Sequence, residues 1–363
     1  MTERFDIAIA GAGMAGASLA AELVAQNAGR VLLLEAEDQP GYHATGRSAA
    51  FWTESYGGPG IQPLTTASGP WLRDNGFLTR RGALTLARQG QEAELEGFLR
   101  RFRDLGVRVD MLDRAAISSH VPGLRDGWTL GAYEPDCCDI DVAGVHQHFL
   151  AAGQRGGVQL WCSARLASAQ RDGGRWRLAL ADGREVLCDV LVNAAGAWAD
   201  GVAQIAGAAP LGITPYRRTV AQLRTTPAAT DDLPLVLDIT EGFYFKPESG
   251  RLWLSPHDET PSLPCDAAPE EIDVATAIAR FQEVVDWQVD RVEHRWAGLR
   301  SFAPDRLPVY GFDPDQPGFF WFAGQGGFGI QTAPAAAQLG AGLLLGTGGG
   351  AIDPSRYAPG RFG

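Results

Sequence analysis

The chain has 363 residues, more than one hydrophobic core usually holds, so two domains are expected. Its formal net charge of −12 argues against nucleic acid or an anionic membrane surface as a partner, and no apolar run predicts integral membrane association. The five cysteines are odd in number and form no CxxC pair, which indicates reduced thiols and a cytoplasmic location.

The first 35 residues predict a strand, a glycine-rich turn, a helix and a second strand. Apolar residues 5–10 run into the turn GAGMAG at 11–16, helix formers fill 17–25, and apolar residues 31–34 end at Glu35. In a dinucleotide-binding unit such glycines allow a tight turn, close approach of the backbone to a pyrophosphate and close helix packing. An acid about twenty residues further on binds the ribose hydroxyls. We therefore expect an ADP-containing cofactor, held by Gly11, Gly13, Met14, Ala15, Gly16, Glu35 and Ala36.

Beyond this unit, hydrophobic periodicity predicts a weak helix at 66–73, a strand at 82–87 and an amphipathic helix at 92–105. Short strands are expected at 158–166, 176–180 and 185–187, the last two joined by the hairpin dipeptide Asp182-Gly183. An apolar strand at 189–196 again runs into small residues. Further strands are expected at 217–223, 235–239, 243–246, 251–254 and 318–322, with helices at 270–285 and 335–345.

Units with parallel-strand character thus occur at both ends and in the middle of the chain, with antiparallel pieces between them. This pattern predicts an α/β fold in which a discontinuous, Rossmann-like cofactor domain carries an inserted mixed-sheet domain. The expected division places residues 1–78, 140–212 and 296–363 in the cofactor domain, and residues 79–139 and 213–295 in a substrate-binding domain.

Four separated motifs resemble the D-amino-acid oxidase/glycine oxidase superfamily of FAD enzymes. They are the N-terminal glycine turn, residues 190–196, residues 324–329, and residues 296–311, which match G-x-R followed by P-D-x-x-P-x-x-G. The segment GYHATGRSAA at 41–50 looks more specifically like the flavin loop of bacterial D-arginine-type dehydrogenases. The resemblance implies noncovalently bound FAD, with further contacts from Thr45, Gly46, Arg47, Ser48, Ala49, Ala195, Gly196, Trp198, Gly326, Gly327, Phe328, Gly329 and Ile330.

The same resemblance implies that arginine grips an amino-acid carboxylate, which a planar guanidinium binds bidentately and lysine does not. Arg300 matches the signature arginine and Arg218 a second carboxylate ligand. Arg217 would alternate to the other face of its strand and point into solvent. Tyr244 is implied as a donor to the carboxylate, and Tyr56 falls where relatives place an active-site tyrosine.

Two positions set the expected preference for the substrate side chain. Relatives that act on basic substrates place a histidine just after the Ser-Ala-Ala run and an acid on the strand beyond the flavin loop. In this chain Phe51 and Gly82 stand at those places. Because a buried guanidinium without a counter-ion is strongly disfavoured, the pocket is expected to take an apolar or aromatic side chain. Gly327 and Gln331 are expected to complete this pocket.

The leading hypothesis is an FAD-dependent D-amino-acid dehydrogenase, in which hydride passes from the substrate Cα to flavin N5. The resulting 2-imino acid would hydrolyse to a 2-oxo acid and ammonia. A glycine/sarcosine-type oxidase that uses O2 and a flavin-binding protein without turnover are the alternatives, and the electron acceptor is open among a quinone, a carrier and O2. Lys246, the only lysine, is expected to cap its strand outside the pocket. His146 and His148 lack the companions of a metal site, so no metal is expected.

Overall fold

The computed structural model describes residues 2–348 and 350–362, and within them the chain forms three β-sheets and eight α-helices. The strands are β1 (Glu3–Ala10), β2 (Val31–Leu34), β3 (Phe51–Trp52), β4 (Leu78–Arg80), β5 (Ala83–Arg88), β6 (Asp110–Asp113), β7 (Trp128–Glu134), β8 (Cys138–Ile140), β9 (Gln159–Trp161), β10 (Leu166–Asp172), β11 (Arg175–Leu180), β12 (Glu185–Asn193), β13 (Thr214–Thr226), β14 (Leu235–Asp238), β15 (Tyr244–Glu248), β16 (Arg251–Ser255), β17 (Thr260–Pro261), β18 (Gln288–Phe302), β19 (Val309–Phe312), β20 (Phe319–Ala323) and β21 (Gln325–Gly326). The helices are α1 (Met14–Ala25), α2 (Gln62–Asp74), α3 (Glu92–Arg103), α4 (Arg114–His120), α5 (Val142–Arg155), α6 (Ala199–Ile205), α7 (Glu271–Val284) and α8 (Ala333–Leu345).

The first sheet is built around β1, which pairs in parallel with β2 on one side and with β12 on the other. Its order is β10-β11-β12-β1-β2-β9, with β20 parallel to β12 and β19 antiparallel to β20. Alternate residues of β1 enter two separate apolar clusters, Ala8 and Ala10 in one and Ile7 and Ile9 in the other. Both faces of β1 are therefore buried, as is usual for parallel strands. The carboxyl ends of β1, β2 and β12 meet at one edge of this sheet.

The second sheet has the order β21-β18-β13-β16-β15-β14-β5-β7-β6, with β17 also paired to β13. Its two longest strands, β13 and β18, pair antiparallel from Thr214 opposite Phe302 to Thr226 opposite Gln288. β21 directly follows β20 of the first sheet and pairs with the end of β18. This link places the end of β18 beside the carboxyl edge of the first sheet. A small third sheet joins β3, β8 and β4.

Most predicted elements are present, with shifted ends. The Asp182-Gly183 hairpin joins β11 to β12 as predicted, but the predicted strands at 185–187 and 189–196 are one continuous strand, β12. The predicted strand at 158–166 is wrong beyond β9, because Ser163 adopts a left-handed conformation with φ of 49° and interrupts the extended backbone. The helices α4, α5 and α6, the strands β6, β7, β8 and β19 and most of β18 were not predicted.

The expected division into two domains stays a prediction, and the sheets partly follow it. The strands of the first sheet lie within residues 3–34, 159–193 and 309–323. β18 runs across the expected boundary at 296, and β21 belongs to the second sheet although its residues were assigned to the cofactor domain. Among the described helices, none has the length and apolar character needed to span a bilayer.

Candidate active site

A cavity of about 420 Å³ opens at the carboxyl edge of the first sheet. Its walls include the turn after β1, Glu35 at the end of β2, and residues 194–198 at the end of β12. In open α/β sheets, ligands bind in the crevice outside the carboxyl ends of the strands. The cavity therefore lies where the sequence predicted the cofactor.

The turn after β1 has the geometry that a pyrophosphate requires. Gly11 has a φ of 106°, and a Cβ there would lie 2.5 Å from the carbonyl oxygen of Ala194, so a side chain is excluded. Gly13 begins α1 without a cap of its own, and the Met14 N–H donates to the Thr45 hydroxyl at 2.9 Å. Gly13, Met14 and Ala15 line the cavity, so the positive end of the helix dipole faces it and favours an anion. The Glu35 carboxylate accepts the Ala12 N–H at 3.0 Å and the Glu37 N–H at 3.0 Å, so it is fixed at the cavity wall.

The loop at 41–50 lies between the cofactor cavity and the second sheet. The Arg47 guanidinium forms an ion pair with Asp266 and donates to the carbonyl oxygen of Ala267 at 2.8 Å. The Arg47 carbonyl oxygen in turn accepts from Nε1 of Trp296 at 3.2 Å and from Nη2 of Arg300 at 3.1 Å. One residue of this loop thus ties the cavity wall to the end of β18.

The residues predicted to hold the cofactor are placed as follows. Four of them do not line the cavity: Gly16, Gly46, Ala49 and Phe328. Gly16 lies beneath the glycine turn, where a Cβ would collide with the Gly11 carbonyl, and Phe328 packs against Ile61 and Phe302. Ala49 lines the smaller chamber described below instead. Those that line the cavity are Gly11, Gly13, Met14, Ala15, Glu35, Ala36, Thr45, Arg47, Ser48, Ala195, Gly196, Trp198, Gly326, Gly327, Gly329 and Ile330. Tyr42, His43 and Gln325 also line the cavity; they lie within the motifs at 41–50 and 324–329 but were not singled out there. Arg165 and Cys265 line it too and lie outside every motif found in the sequence.

A smaller chamber of about 30 Å³ adjoins this cavity and shares Ser48, Arg300, Gly327 and Ile330 with it. It brings together both predicted carboxylate ligands and both predicted tyrosines. Its lining residues are Ser48, Ala49, Ala50, Phe51, Tyr56, Arg218, Tyr244, Arg300, Gly327, Ile330 and Gln331. β13 and β18 position the two arginines, because Arg218 lies opposite Gly298 and Tyr216 lies opposite Arg300 in the antiparallel register. A Cβ at Gly298 would lie 2.7 Å from Nη1 of Arg300, so this glycine makes room for the guanidinium.

Arg300 is buried, with 7% of its surface exposed, and no acidic side chain among the described residues forms an ion pair with it. Its Nη2 donates to the Arg47 carbonyl, while its Nη1 is buried without a hydrogen-bond partner. Burial, together with the nearby charge of Arg218, lowers the pKa of the Arg300 guanidinium. A buried cation without a counter-ion is costly. The positive charge and the unpaired N–H donor of Arg300 therefore favour binding of an anion in the chamber.

Arg218 is held more completely than Arg300. Its Nη2 pairs with Glu259 at 2.9 Å, its Nε donates to the Asp258 carbonyl at 2.8 Å, and its Nη1 donates to the Tyr56 hydroxyl at 3.3 Å. Burial works to lower the pKa of Arg218, but the two chamber tyrosines and Glu259 outweigh it and raise the pKa. Burial raises the pKa of the Tyr244 phenol, so this side chain stays a neutral donor.

Arg217 and Gly82 do not occupy the places expected for them. Arg217 points away from the chamber as predicted, but it is paired with Asp273 at 3.0 Å and with Glu270 rather than solvated. Gly82 does not line the chamber: it has a φ of 77°, and a Cβ there would lie 2.5 Å from the Tyr133 hydroxyl. The placement of Gly82 in the substrate pocket was therefore wrong.

The two remaining predictions concern Lys246 and the histidine pair. Lys246 is buried, and its ammonium pairs with Asp139 at 2.7 Å and Glu248 at 3.1 Å, outside both cavities. His146 Nε2 contacts the Ala12 carbonyl oxygen at 2.9 Å behind the glycine turn. In the described residues no group of three metal-ligating side chains is present.

A model of the family described as DAO, FAD dependent oxidoreductase, matches residues 6–343. The chain belongs to this family. Glycine oxidase from Pseudomonas aeruginosa is 28% identical over 392 aligned positions, which cover 99% of both chains. The structure of glycine oxidase from Geobacillus kaustophilus is 23% identical and has a TM-score of 0.86 over 98% of both chains. L-alpha-glycerophosphate oxidase from Mycoplasma pneumoniae with FAD bound has a TM-score of 0.86 at 17% identity over 95% of both chains.

Membership of the DAO family confirms the predicted fold class, an α/β fold with an FAD-binding Rossmann-like part and a mixed-sheet substrate part. FAD is the cofactor of this DAO-family protein, and the glycine turn, the N-terminal end of α1 and Glu35 fit its ADP portion. The closer likeness to D-arginine-type dehydrogenases stays a prediction.

Proposed function

We propose that this protein oxidises a D-amino acid with an apolar side chain to a 2-imino acid, which water converts to a 2-oxo acid and ammonia. The observation that carries the proposal is the state of Arg300. Its guanidinium is buried in the chamber without an acidic partner, and one of its nitrogens has no hydrogen-bond partner at all. A substrate carboxylate would supply both the missing charge and the missing acceptor.

The other chamber residues have complementary tasks in this reaction. Arg218, fixed by Glu259 and Asp258, offers a second positive charge to the carboxylate. Tyr244 is a neutral phenol at the same wall and donates to the carboxylate. Bound FAD supplies a two-electron acceptor for the hydride that leaves Cα. The protein residues fix the substrate so that its Cα–H points at the cofactor cavity, which removes the entropic cost of that orientation from the reaction step.

The chamber walls favour an uncharged side chain. Phe51 forms one wall, in contact with Tyr56 and Tyr244 at ring-centroid distances of 5.2 and 5.8 Å. Among the residues that the structure describes, none that lines the chamber is acidic, so D-arginine would bury its guanidinium without a counter-ion. Each buried methylene of an apolar side chain instead contributes about 0.8 kcal/mol.

A second candidate is a glycine/sarcosine-type amine oxidase, and the size of the chamber favours it. A volume of about 30 Å³ holds roughly two water molecules, which leaves little room beyond a carboxylate and an amino group. The full-length similarity to a glycine oxidase points the same way. The two candidates share the carboxylate site and the cofactor, and they differ only in the substrate side chain and the electron acceptor.

An anaerobic flavin-reduction screen tests the proposal and separates the candidates. We expect D-alanine, D-leucine or D-phenylalanine to bleach the bound flavin faster than D-arginine and faster than the matching L-amino acids. Fastest bleaching by glycine or sarcosine would favour the second candidate, and fastest bleaching by D-arginine would contradict the apolar pocket. If none of these compounds bleaches the flavin, the protein binds FAD without this turnover and the proposal fails. Repeating turnover with O2, a quinone and an artificial dye then identifies the acceptor class.

A further inference from the structure

His257 lies directly behind Tyr56 and was not singled out from the sequence. It follows β16 and adopts a left-handed conformation, with φ of 54°. Its ring makes edge-on contacts with both chamber tyrosines, 6.0 Å from the Tyr56 ring and 5.8 Å from the Tyr244 ring, measured between centroids. Residues other than glycine seldom adopt this conformation, and His257 holds it next to two residues that line the chamber.

The hydrogen bonds of His257 fix which ring nitrogen carries the proton. Nδ1 lies 2.9 Å from the carbonyl oxygen of Glu241, and a carbonyl can only accept, so Nδ1 must be the donor. In a neutral imidazole Nε2 is then a pure acceptor. Nε2 lies 3.2 Å from the Tyr56 hydroxyl, so Tyr56 donates its proton to His257.

The surroundings of His257 keep its ring neutral. Burial lowers the pKa of His257 to about 3, and the charges of Arg218, Arg306 and Arg280 act in the same direction. Arg280 also clamps the two turns that bring Glu241 and His257 together, because it donates to the carbonyl oxygens of Pro256, at 2.6 Å, and Gly242.

These contacts leave the Tyr56 hydroxyl with one unused lone pair. Its proton is committed to His257, and one of its lone pairs accepts from Nη1 of Arg218 at 3.3 Å. The hydroxyl oxygen lies close to Gly327, which lines the chamber together with Tyr56, since a Cβ at Gly327 would be 3.2 Å from it. Toward a substrate, Tyr56 can therefore accept a hydrogen bond but cannot donate one.

We propose that His257 is a positioning residue that holds Tyr56 as a hydrogen-bond acceptor for the amino group of the substrate. The inference rests on the proposed amino-acid oxidation. In that reaction the amino group first loses its ammonium proton to solvent. The hydrogen on Cα then leaves with the bonding electron pair as hydride, for which bound FAD would be the acceptor, while the nitrogen lone pair forms the C=N bond. A tyrosine that donated to the nitrogen would occupy this lone pair. His257 prevents that arrangement, and Tyr56 instead takes an N–H of the neutral amine and orients it.

The first test reads the tautomer directly and needs no substrate. Two-dimensional ¹H–¹⁵N spectra of the FAD-loaded protein, assigned with His257→Asn, report which ring nitrogen is protonated. We expect the Nδ1–H tautomer of His257 to persist through roughly pH 5 to 8, whereas an ordinary histidine titrates near 6.5. An Nε2–H tautomer, or titration near the ordinary value, would overturn the inference while leaving the proposed function standing.

The second test asks whether His257 acts through Tyr56. His257→Asn fits the left-handed backbone and can still donate to Glu241, but it does not reach Tyr56. We expect it to lower the limiting rate of anaerobic flavin reduction by about three- to tenfold, the scale of one hydrogen bond, with little change in substrate Kd. His257→Gln, which restores an acceptor at the position of Nε2, should recover most of the rate. The exposed His294→Asn serves as the surface control.

The double variant decides between positioning and mere support of the fold. In a Tyr56→Phe background no hydroxyl remains to be oriented, so adding His257→Asn should change the reduction rate by less than about twofold. Full additivity of the two substitutions would show that His257 does not act through Tyr56 and would refute the inference. If no amino acid reduces the flavin of the unsubstituted protein, the proposed function has failed, and the tautomer spectra still judge the hydrogen-bond assignment by themselves.

Discussion

Arg300→Met removes the guanidinium that the substrate carboxylate is proposed to meet, while it keeps a side chain of similar length. Loss of a buried, charge-assisted pair costs about 2–5 kcal/mol. Since each 1.4 kcal/mol corresponds to about a factor of ten, we expect a loss of roughly 30-fold to several-thousand-fold in kcat/KM. Anaerobic stopped-flow measurement of flavin reduction, at several substrate concentrations, gives this number directly.

The same substitution should not destabilise the substrate-free protein. Arg300 is buried without an acidic partner, so its replacement removes an uncompensated charge, and the thermal midpoint should stay constant or rise. Arg218→Met should behave differently, because it breaks the pair with Glu259. Since Glu259 is partly exposed, the destabilisation should not exceed the roughly 3 kcal/mol that a fully buried pair costs.

Arg295→Met is the matched control, since Arg295 lies on the same strand, β18, with its side chain at the surface. It should leave both the rate of flavin reduction and the thermal midpoint unchanged. The account of the carboxylate site is refuted if Arg300→Met and Arg295→Met have equal effects on kcat/KM. It is also refuted if the thermal midpoint falls with Arg300→Met as far as with Arg218→Met.

Three further predictions test the cofactor site and the two corrected positions. Acid release of the chromophore should yield FAD and no FMN. Glu35→Ala should weaken FAD binding by roughly 10- to 100-fold in a fluorescence titration. An unchanged affinity would show that the Glu35 carboxylate does not bind the cofactor. Arg217→Met should lower the free energy of unfolding in a urea titration by on the order of 1–3 kcal/mol without raising the substrate KM, because its partners are acids outside the chamber. Gly82→Ala should lower the free energy of unfolding by about 1–2 kcal/mol because of the left-handed backbone alone. The loss should be larger than for Gly76→Ala, since Gly76 has the same φ of 77° but open space around it. Equal shifts of the thermal midpoint for the two variants would show that Tyr133 moves aside without an energetic cost.

The cofactor site was largely predictable because its determinants are local. The strand, the glycine turn and the helix follow one another within residues 3–25, and Glu35 closes the next strand. Arg218 and Arg300, which the structure brings into one chamber, could be singled out because each lies in a motif of neighbouring residues. Their pairing across β13 and β18 then follows from the antiparallel register.

The errors arise where a position depends on contacts that are distant in sequence. Arg217 meets its acids 53 and 56 residues further along, so strand alternation gave its direction but not its partners. Gly82 was misplaced by an alignment in a region without a fixed spacing; its neighbour Ala83 is the residue that packs with Phe51 and Tyr244. His257 reaches Tyr56 over a separation of 201 residues from a left-handed backbone, and no periodicity encodes such a contact.

The most direct test of the carboxylate site compares substrates that differ only in that group. The FAD-loaded protein is mixed anaerobically with D-leucine or with 3-methylbutylamine, its counterpart without the carboxylate, and the flavin absorbance is followed. The account predicts rapid bleaching by D-leucine and a rate at least on the order of 100-fold lower with the amine, since the amine leaves the buried Arg300 unpaired. Equal bleaching by the two compounds, or faster bleaching by the amine, would contradict it.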